Sequence, residues 1–473
     1  MDFGGNDAAL AGLDLGSVPE DAPSSERAKG RELPEGWDQA LFGARAGGSW
    51  KIPETWGVRR LGDFASARGG TGFPPELQGQ TGGRYPFFKV SDMNLPGNGV
   101  EMGTSNNYVT EEVRAKLAAK PFNVGTVIFP KVGGALHTNK KRILVSDALL
   151  DNNVMGVTIE DDRVCIPDFL LRLFEVVNLS DLSNPGPLPS INATRVKGTM
   201  LPIPPLPEQR AIASVLGAVQ GAKEACEQVL ATTRQLKQSL LHHLFTYGPV
   251  PFSEADRIPV KETEIGLICE HWNLVSCESL CEMLTVGVVV KPSTYYVESG
   301  VPAFRSFNVR EDKLVTNDLV FFSNEANDGP LSKSRLREGD VLIVRTGYPG
   351  TSCVVPKEYD GANCIDLVIA RPNRTLVLSE FLSRFFNSAS GKQQALNAKV
   401  GLAQQHLNVG AVRRTLVPLP ILPEQREIAG QLAAVDAKLA AEESRRAALA
   451  ALFQSLLHHL MTAKVRLPEF VRA

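Results

Sequence analysis

The sequence predicts an α/β (α+β) protein in which two tandem duplicated globular domains are separated by two long helices that form an antiparallel coiled coil, with pseudo-twofold symmetry. Three observations lead to this fold class. Two long stretches share the opening Leu-Pro-Glu-Gln-Arg and the ending Gln-Ser-Leu-Leu-His-His-Leu. Both stretches carry apolar residues at steps of four and three. Before each stretch, short strand-like runs, glycine-rich turns and a short helix follow in the same order.

The two long helices are predicted to have the same length. The first opens at Leu206 and reaches the repeated ending at Leu244, and the second opens at Leu422 and completes the same ending at Leu460. The copies stand 216 residues apart at both ends, so no residue has been gained or lost between them. A helix that only covers an apolar core tolerates changes in length. A matched length therefore predicts that the length itself is used.

A coiled-coil seam is predicted between the two helices, because most positions of the four-and-three pattern are apolar and its polar breaks could fix the register. A helix of about 38 residues would be about 57 Å long at a rise of 1.5 Å per residue. The alternative is that each helix packs on its own globular domain. The predicted seam, which also serves as a candidate surface for docking partners, consists of Ile212, Leu216, Val219, Leu230, Leu240, Leu244, Ile428, Leu432, Val435, Leu439, Leu449, Phe453, Leu456 and Leu460.

The duplication extends into the globular parts. Trp56 and Trp272 stand 216 residues apart, as do Asn192 and Asn408. Between these points the offset drifts by a few residues and then recovers, which is typical of a tandem duplication whose loops have changed. The predicted segments are a flexible N-terminal tail (1–30), a first domain (31–205), a first spacer helix (206–247), a second domain (248–421), a second spacer helix (422–463) and a C-terminal tail (464–473).

The strands of each domain are expected to be short and mostly antiparallel, because their connections are too short for regular β-helix-β crossovers. Val124–Pro130 predicts a buried strand. Pro167–Asn178 predicts a short helix, since proline is favoured in a first helical turn and the apolar residues that follow share one side. The same order of elements recurs from about Lys261 to Pro423.

Composition and charge are those of an ordinary soluble globular protein. The formal net charge of −2 counts against a free-standing nucleic-acid binder, which is usually basic, but not against a local basic face. The seven cysteines form no Cys-x-x-Cys pair, and reduced cytosolic thiols are expected rather than a zinc site. The sequence has no 18-residue apolar run and no signal-peptide pattern, so a cytoplasmic location away from the membrane is expected.

No catalytic signature is found in the sequence. It lacks a phosphate-binding Gly-x-x-x-x-Gly-Lys-Ser/Thr loop, the Asn/Asp-Pro-Pro-aromatic segment of adenine methyltransferases, and Gly-x-Ser-x-Gly and His-Glu-x-x-His motifs. The His242-His243 and His458-His459 pairs resemble metal ligands, but adjacent helical residues point about 100° apart. Helix-end packing or partner contact is the preferred interpretation of both pairs, and the Gly69–Gly72 run is interpreted as a turn.

Several motifs together resemble one known family. The strongest are the two Leu-Pro-Glu-Gln-Arg helix openings, each after a proline-rich segment. Others are Ile52–Asp63, Glu264–Trp272, Gly339–Leu342 and Gln405–Asn408. The chain resembles the DNA specificity subunits of type I restriction-modification enzymes over nearly its whole length after the tail. One departure is Cys269, which stands where the family usually has proline and puts the rigidity of that turn in doubt.

The resemblance implies a function and a set of partners. Two target-recognition domains would each read one half of a bipartite site in double-stranded DNA. The helices would space these domains and dock two methyltransferase subunits, and motor-nuclease subunits would complete the restricting complex. The chain itself would have no active site and bind no metal or cofactor, while S-adenosylmethionine, ATP and magnesium would bind to the partner subunits.

Candidate DNA contacts follow from the duplication, because positions that serve the same role should carry matching charge. Lys89 matches Arg305, and Lys131 matches Arg345, each of the latter two standing two residues before a glycine. Arginine and lysine hold guanine or phosphate, and asparagine holds adenine. The alternative is that these are solvated surface charges. Further candidates on nearby loops are Asn139, Lys140, Lys141 and Arg142 in the first domain and Lys333, Arg335 and Tyr348 in the second.

Other functions stay open at the level of sequence. A duplicated scaffold without DNA could clamp two copies of a protein partner, and the near-neutral charge favours it slightly. An enzyme with an unrecognised site is disfavoured by the missing motifs. A specificity subunit of a modification-only or type IIB-like system would differ only in its partner chains.

Overall fold

The computed structural model describes residues 30–32, 51–184, 186, 188–397 and 406–471. The chain divides into two compact units, of which unit 1 comprises Met1–Ala225 with Arg446–Ala473 and unit 2 comprises Cys226–Arg445. Each unit holds one globular domain together with part of each long helix. The predicted N-terminal tail, residues 1–30, lies outside the described residues except for Gly30.

Unit 1 contains short strands and short helices, as its sequence pattern predicts. Its helices are α1 (Glu111–Lys116), α2 (Pro167–Val176) and α3 (Ala193–Gly198). Its strands are β1 (Gly30–Glu32), β2 (Lys51–Pro53), β3 (Gly57–Arg60), β4 (Ala65–Gly69), β5 (Tyr85–Phe88), β6 (Glu101–Met102), β7 (Tyr108–Val109), β8 (Val127–Pro130), β9 (Arg142–Leu144), β10 (Leu149–Leu150), β11 (Val154–Ile159) and β12 (Met200–Ile203).

The sheets of unit 1 place β8 at the centre. The main sheet has the strand order β4-β11-β8-β9-β6, and a smaller sheet has the order β10-β5-β7. Most pairs are antiparallel, and the β5–β10 and β6–β9 pairs are parallel. Strand β8 is a continuous apolar run that is buried on both faces, which suits a central strand. Helix α2 covers it, with the Phe129 and Phe174 ring centroids 5.2 Å apart.

Unit 2 repeats this set of elements. After the first long helix, α4 (Leu206–Tyr247), its helices are α5 (Cys277–Leu280), α6 (Asn324–Asp328), α7 (Ser379–Asn387), α8 (Ala389–Asn397) and α9 (Val409–Arg414). Its strands are β13 (Val260–Thr263), β14 (Gly266–Cys269), β15 (Asn273–Ser276), β16 (Cys281–Val286), β17 (Tyr296–Val297), β18 (Val301–Phe304), β19 (Val309–Arg310), β20 (Lys313–Leu314), β21 (Val320–Phe322), β22 (Val341–Val344), β23 (Ser352–Val354), β24 (Asn363–Cys364), β25 (Leu367–Pro372) and β26 (Leu416–Leu419).

The strand order of unit 2 matches that of unit 1. Its main sheet, β16-β25-β22-β23, corresponds to β4-β11-β8-β9. The parallel pair β18–β24 corresponds to β5–β10, and the antiparallel pair β15–β26 corresponds to β3–β12. The central strand β22 is again apolar and buried throughout. The predicted fold class of two duplicated mixed α/β domains with two long helices is therefore confirmed.

The long helices are α4 and α10 (Leu422–Met461), and a short helix α11 (Pro468–Val471) follows them. Within unit 2 the sulfur of Cys226 lies 3.3 Å from Glu442 Oε2, and Lys237 Nζ lies 2.7 Å from Asp436 Oδ1. From the first contact to the second, the residue number rises in α4 and falls in α10, so the two helices are antiparallel. Cys226 and Glu442 hold the same position in the two copies, and contact between equivalent positions is what an antiparallel pair of duplicated helices requires at its midpoint.

Within unit 1 the opening of α4 and the end of α10 share one core. Ile212, Leu216 and Val219 pack in the same buried cluster as Phe453 and Leu460. Most of the predicted seam is buried in the two units. Five of its positions are only partly buried: Leu240, Val435, Leu439, Leu449 and Leu456.

The glutamine of each Leu-Pro-Glu-Gln-Arg opening fixes its helix to its own domain. In unit 1 the amide of Gln209 donates to the carbonyl oxygens of Val164 and Pro204, both at 2.8 Å, and accepts from the Ile166 amide at 3.0 Å. In unit 2 Gln425 makes the same three bonds with the equivalent residues Leu376, Pro420 and Leu378. Both glutamines are completely buried, so their bonds also satisfy backbone groups that water cannot reach.

Candidate nucleic-acid interface

Lys89 and Arg305 occupy equivalent positions in the two units. Each follows the strand of a parallel pair, β5 or β18, and precedes a short 3-10 turn. The Lys89 amide donates to Asp92 Oδ2 at 2.8 Å, and the Arg305 amide donates to Asn308 Oδ1 at 2.9 Å. Asp92 and Asn308 are fully buried, so both turns begin with the same buried cap. The 3-10 segment then covers Val90–Asn94 in unit 1 and Ser306–Asn308 in unit 2.

The side chains of these two residues have different neighbours. Lys89 Nζ donates to Gln78 Oε1 at 2.8 Å. The Arg305 guanidinium donates to the carbonyl oxygen of Asp318 and lies 4.3 Å from the centre of the Phe307 ring, a cation–π distance. Both side chains are half-buried at the surface of their unit.

Lys131 and Arg345 also hold equivalent positions, directly after the central strands β8 and β22. The ammonium of Lys131 lies against Gly69, where an added Cβ atom would stand only 2.7 Å from it. Arg345 forms an ion pair with Asp366 and donates its Nε–H to the carbonyl oxygen of Leu407 at 3.0 Å. Arg345 therefore braces the loop that follows β22 through contacts within its own unit.

The basic side chains at the start of β9 form hydrogen bonds within unit 1. Arg142 donates to the carbonyl oxygens of Asn98 at 2.6 Å, Lys141 at 2.8 Å and Met93 at 3.3 Å. The buried Lys141 ammonium donates to the Val177 carbonyl oxygen at 2.6 Å, and burial lowers the pKa of this lysine to about 8. These contacts favour a structural role for Arg142 and Lys141 over the predicted DNA contact.

Two neighbours in the loop before β9 lie nearer the surface. Asn139 adopts a left-handed conformation with φ of 52°, and its Oδ1 accepts a hydrogen bond from the Leu179 amide at 2.9 Å. Lys140 donates to Asn94 Oδ1, at the end of the turn that begins after Lys89. The structure thus brings the loop of Lys140 and the turn of Lys89 together on one side of unit 1.

The corresponding region of unit 2 forms a groove of about 790 Å³. Tyr348 lines it and is 81% exposed. Arg335 lies elsewhere on the surface and pairs with Asp328 at 2.9 Å, and Lys333 is exposed outside the groove. The lining residues that sequence reasoning missed include Phe307, Arg310 and Lys392. The duplication could have found the first two, because they stand 216 residues after Ser91 and Asn94.

The histidines and cysteines of the described residues were the other candidates for chemistry. They contain no group of three or more histidine, cysteine, aspartate or glutamate side chains that could hold a metal ion. Burial raises the pKa of Cys165 to about 12 and that of Cys269 to about 11, which keeps both thiols protonated and unreactive near neutral pH. His243 stacks on Phe252 at 4.1 Å and its Nε2 lies 2.7 Å from the Val250 carbonyl oxygen, so it packs at the helix end.

Comparison with known proteins places the chain in a family. The sequence model described as the type I restriction modification DNA specificity domain matches residues 53–231 and 316–451, which is more than half of the chain. The chain therefore belongs to the type I restriction-modification DNA specificity family.

Individual relatives carry the same description. The chain is 22% identical over 427 residues to the specificity subunit of the type I restriction enzyme MjaVIII of Methanocaldococcus jannaschii, covering 88% of this chain and 94% of that protein. It is 23% identical over 299 residues to the EcoBI specificity subunit of Escherichia coli, covering 59% and 61%. The alternative of a duplicated scaffold that does not bind DNA is not favoured by these relatives.

Solved structures share the fold. An S subunit of a type I restriction-modification system from M. genitalium superposes with a TM-score of 0.53 at 15% identity, covering 86% of this chain and 96% of that one. A chain from a structural study of complex assembly and conformational transition in a type I system gives 0.51 at 18% identity, covering 87% and 99%. Among the helices of the described residues, none is long and apolar enough to cross a membrane.

Proposed function

We propose that this chain is the DNA sequence-specificity subunit of a type I restriction-modification complex. Each of its two domains reads one half of a bipartite site in double-stranded DNA. The observation that carries the proposal is the contrast between a repeated framework and differing surface residues. After β5 and β18 the backbone amide of the first residue donates to the buried side chain three residues on, Asp92 or Asn308, in the same way. The exposed positions that follow differ: they carry Ser91 and Asn94 in unit 1 and Phe307 and Arg310 in unit 2.

This contrast has a direct physical meaning for DNA recognition. Base edges in the major groove differ in their donors, acceptors and methyl groups, so different half-sites need different side chains. Phosphates are the same everywhere and need only positive charge to set the position of the protein. A reader that was duplicated and then specialised would keep its framework and change the residues at its contact surface.

The helices would fix the distance between the two readers. Proteins with twofold symmetry read half-sites about one helical turn apart, roughly 34–36 Å. A 42-residue helix such as α4 is long enough for this, at about 63 Å. Exposed faces of the same helices would dock two methyltransferase subunits, and the antiparallel pairing keeps those faces equivalent.

The catalytic work would belong to other chains. Methyltransferase subunits would bind S-adenosylmethionine, and motor-nuclease subunits would bring ATP and magnesium to the restricting complex, a type I site-specific deoxyribonuclease. This chain would contribute specificity without an active site of its own. Because its substrate is cellular DNA, the complex would act in the cytoplasm.

Mapping of methylated bases tests the proposal. The chain is expressed with its partner methyltransferase subunit in cells without other methyltransferases, and modified adenines are mapped across the genome. The expected result is one split motif with two defined halves and a gap of fixed length. Methylation at a continuous motif, or at sites without a common sequence, would contradict the proposal. Omission of this chain is the control and should abolish the modification.

A further inference from the structure

The groove of unit 2 has two walls from the elements that form the candidate interface. One wall is the turn after β18, which contributes Ser306 and Phe307 and continues into β19 with Arg310. The other is the loop after β22, which contributes Thr346 to Pro349, including Tyr348. Helix α8 closes one side with Lys392 and Leu396.

Large apolar side chains are concentrated in this groove. Tyr348 is 81% exposed, Leu396 is 43% exposed and Phe307 is 39% exposed. Single exposed apolar residues are normal on a protein surface, but three that line one groove indicate a binding surface. The Tyr348 ring in particular projects into solvent from its loop and makes few contacts with the rest of unit 2.

The charges around the groove suit a nucleic acid. Arg310 is exposed, and the only hydrogen bond of its side chain among the described residues is a 3.4 Å contact with the carbonyl oxygen of Val309. Glu311 also lines the groove, but Lys392 neutralises it by forming an ion pair with it. Arg305 stands behind Phe307 with its guanidinium over the ring. The groove therefore combines apolar walls with an excess of positive charge, which complements DNA better than an acidic or neutral groove would.

Unit 1 has different chemistry at the same positions. Phe307 is replaced by Ser91, and Arg310 by Asn94. Tyr348 stands three residues after Arg345, and the position three residues after the equivalent Lys131 is occupied by Gly134. The aromatic walls are thus a property of unit 2 alone, although the strands that carry them are duplicated.

We propose that this groove reads a thymine of one half-site through its 5-methyl group. The inference rests on the proposed function and names the chemistry of one reader. Thymine is the base that presents a methyl group in the major groove, and apolar side chains recognise it by direct contact. Tyr348 and Phe307 supply this contact, and Arg310 binds a phosphate beside the thymine and sets the register of the groove on the duplex.

The wall that carries Arg310 is rigidly held, as a specificity site requires. Asp312 follows it in the β19–β20 turn, and its side chain is 7% exposed. Its carboxylate accepts hydrogen bonds from Asn387 at 2.8 Å and Ser383 at 3.1 Å, and it pairs with Arg384 and with Lys237 of helix α4. The recognition wall is therefore fixed to a long helix within unit 2.

The test uses the complete methyltransferase complex and DNA in which single thymines of the mapped half-sites are replaced by deoxyuracil. This base keeps its hydrogen bonds and lacks only the methyl group. For the wild-type complex, one replacement in one half-site should reduce the methylation rate at limiting enzyme about fourfold, the value of one buried methyl group. The Tyr348→Ala complex should discriminate much less between thymine and deoxyuracil DNA at that position, because the larger and more exposed of the two apolar contacts is gone.

Two matched variants sharpen the result. Tyr348→Phe removes only the hydroxyl and should keep the preference for thymine. Tyr296→Ala removes another exposed tyrosine of unit 2 that does not line the groove, and should also keep it. Phe307→Ala should weaken the same preference as Tyr348→Ala.

Several outcomes would overturn the inference. If deoxyuracil at each thymine left the methylation rate of the wild-type complex unchanged, the inference would be wrong. A split methylation motif in the same complex would still support the proposed function. An equal loss on all sequences in Tyr348→Ala would mean that the groove contacts DNA without reading a base. Loss of copurification with the methyltransferase subunit in that variant would identify a protein-docking surface instead. A wild-type complex without any split motif would overturn the proposed function itself.

Discussion

Trp56 donates its indole N–H to Glu208 Oε2 at 3.0 Å, which joins the start of the first domain to the opening of helix α4. The second copy repeats this bond between Trp272 and Glu424 at 3.3 Å. The two glutamates are the third residues of the Leu-Pro-Glu-Gln-Arg openings. The repeated motif is therefore an anchor that sets the direction in which each long helix leaves its domain.

Glu208→Gln is predicted to destabilise the protein more than Glu424→Gln. Glu208 is buried and also pairs with Arg466 at 2.9 Å, whereas the further partners of Glu424 are the exposed His271 and the Ile421 amide. Removing the charge of Glu208 leaves Arg466 without its partner, at a cost of about 3–5 kcal/mol. The Glu424 change should cost within about 1 kcal/mol. Thermal unfolding of both variants measures the difference, and equal shifts would contradict the assignment of Arg466 as a structural partner.

Asp312→Asn is predicted to destabilise unit 2 and to relax one half-site. The substitution leaves Lys237 and Arg384 to share the one remaining carboxylate, that of Asp436, so the loss should approach the about 3–5 kcal/mol that breaking a buried pair costs. The β19–β20 turn beside Arg310 should then loosen, so methylation should tolerate more sequences in the half-site that unit 2 reads. Asp318→Asn is the matched control, because Asp318 also adopts a positive φ but is exposed. Relaxation of both half-sites would contradict the prediction.

Lys141 gives the stability of unit 1 a dependence on pH. Its folded-state pKa is about 8, below its usual value near 10.5, because burial disfavours the charged ammonium. Below pH 8 both states carry the proton and the folded state bears the full cost of burying the charge. As the pH rises from 8 towards 10.5, the unfolded state binds more protons than the folded state, so stability increases.

Comparison with Lys141→Met isolates this effect. The thermal midpoint of the wild type should rise relative to that of the variant over this range, while Lys140→Met, at the more exposed neighbour, should follow the wild type. Parallel pH profiles for the wild type and Lys141→Met would show that the ammonium is solvated.

Arg345→Ala is predicted to alter specificity without removing a phosphate contact. Its guanidinium braces the loop of Tyr348 through Asp366 and Leu407, so its loss should relax the half-site of unit 2. The slope of the logarithm of affinity against the logarithm of salt concentration should stay unchanged, whereas losing one phosphate contact lowers it by about 1. A lower slope with unchanged sequence preference would assign Arg345 to the DNA backbone. Arg335→Ala, which changes an exposed paired arginine, serves as the comparison.

Sequence reasoning reached the framework because the duplication preserves the residues that determine it. The duplication places Lys89 and Arg305 at matched positions, and the structure gives both turns the same buried cap although the two side chains have different neighbours. The four-and-three pattern predicts the antiparallel helix pair, since apolar periodicity reports directly on the buried face of a helix. These features depend on local patterns that repeat along the chain.

The contact surface was harder to predict because its chemistry depends on tertiary neighbours. Nothing in the sequence around Arg142 distinguishes a guanidinium that binds three carbonyl oxygens from one that faces solvent. The cluster around Asp312 joins residues from separate elements, and its position in unit 1 is occupied by Pro96, so the duplication carried no signal for it. Phe307 was missed because the candidate DNA contacts were chosen as positions with the same charge in both domains, whereas Phe307 differs in chemistry from the equivalent Ser91.

The most direct test of the account changes the length of the helix pair. Four residues are inserted after Ala225 and four after the equivalent Ala441, so that the two insertions face each other at the midpoint of the antiparallel pair and lengthen it by about one turn, or about 6 Å. Methylation is then measured on DNA with the same half-sites and a series of gap lengths. We expect a longer preferred gap with both half-sites unchanged. An active variant that keeps the original gap would contradict the claim that the helices set the distance between two readers.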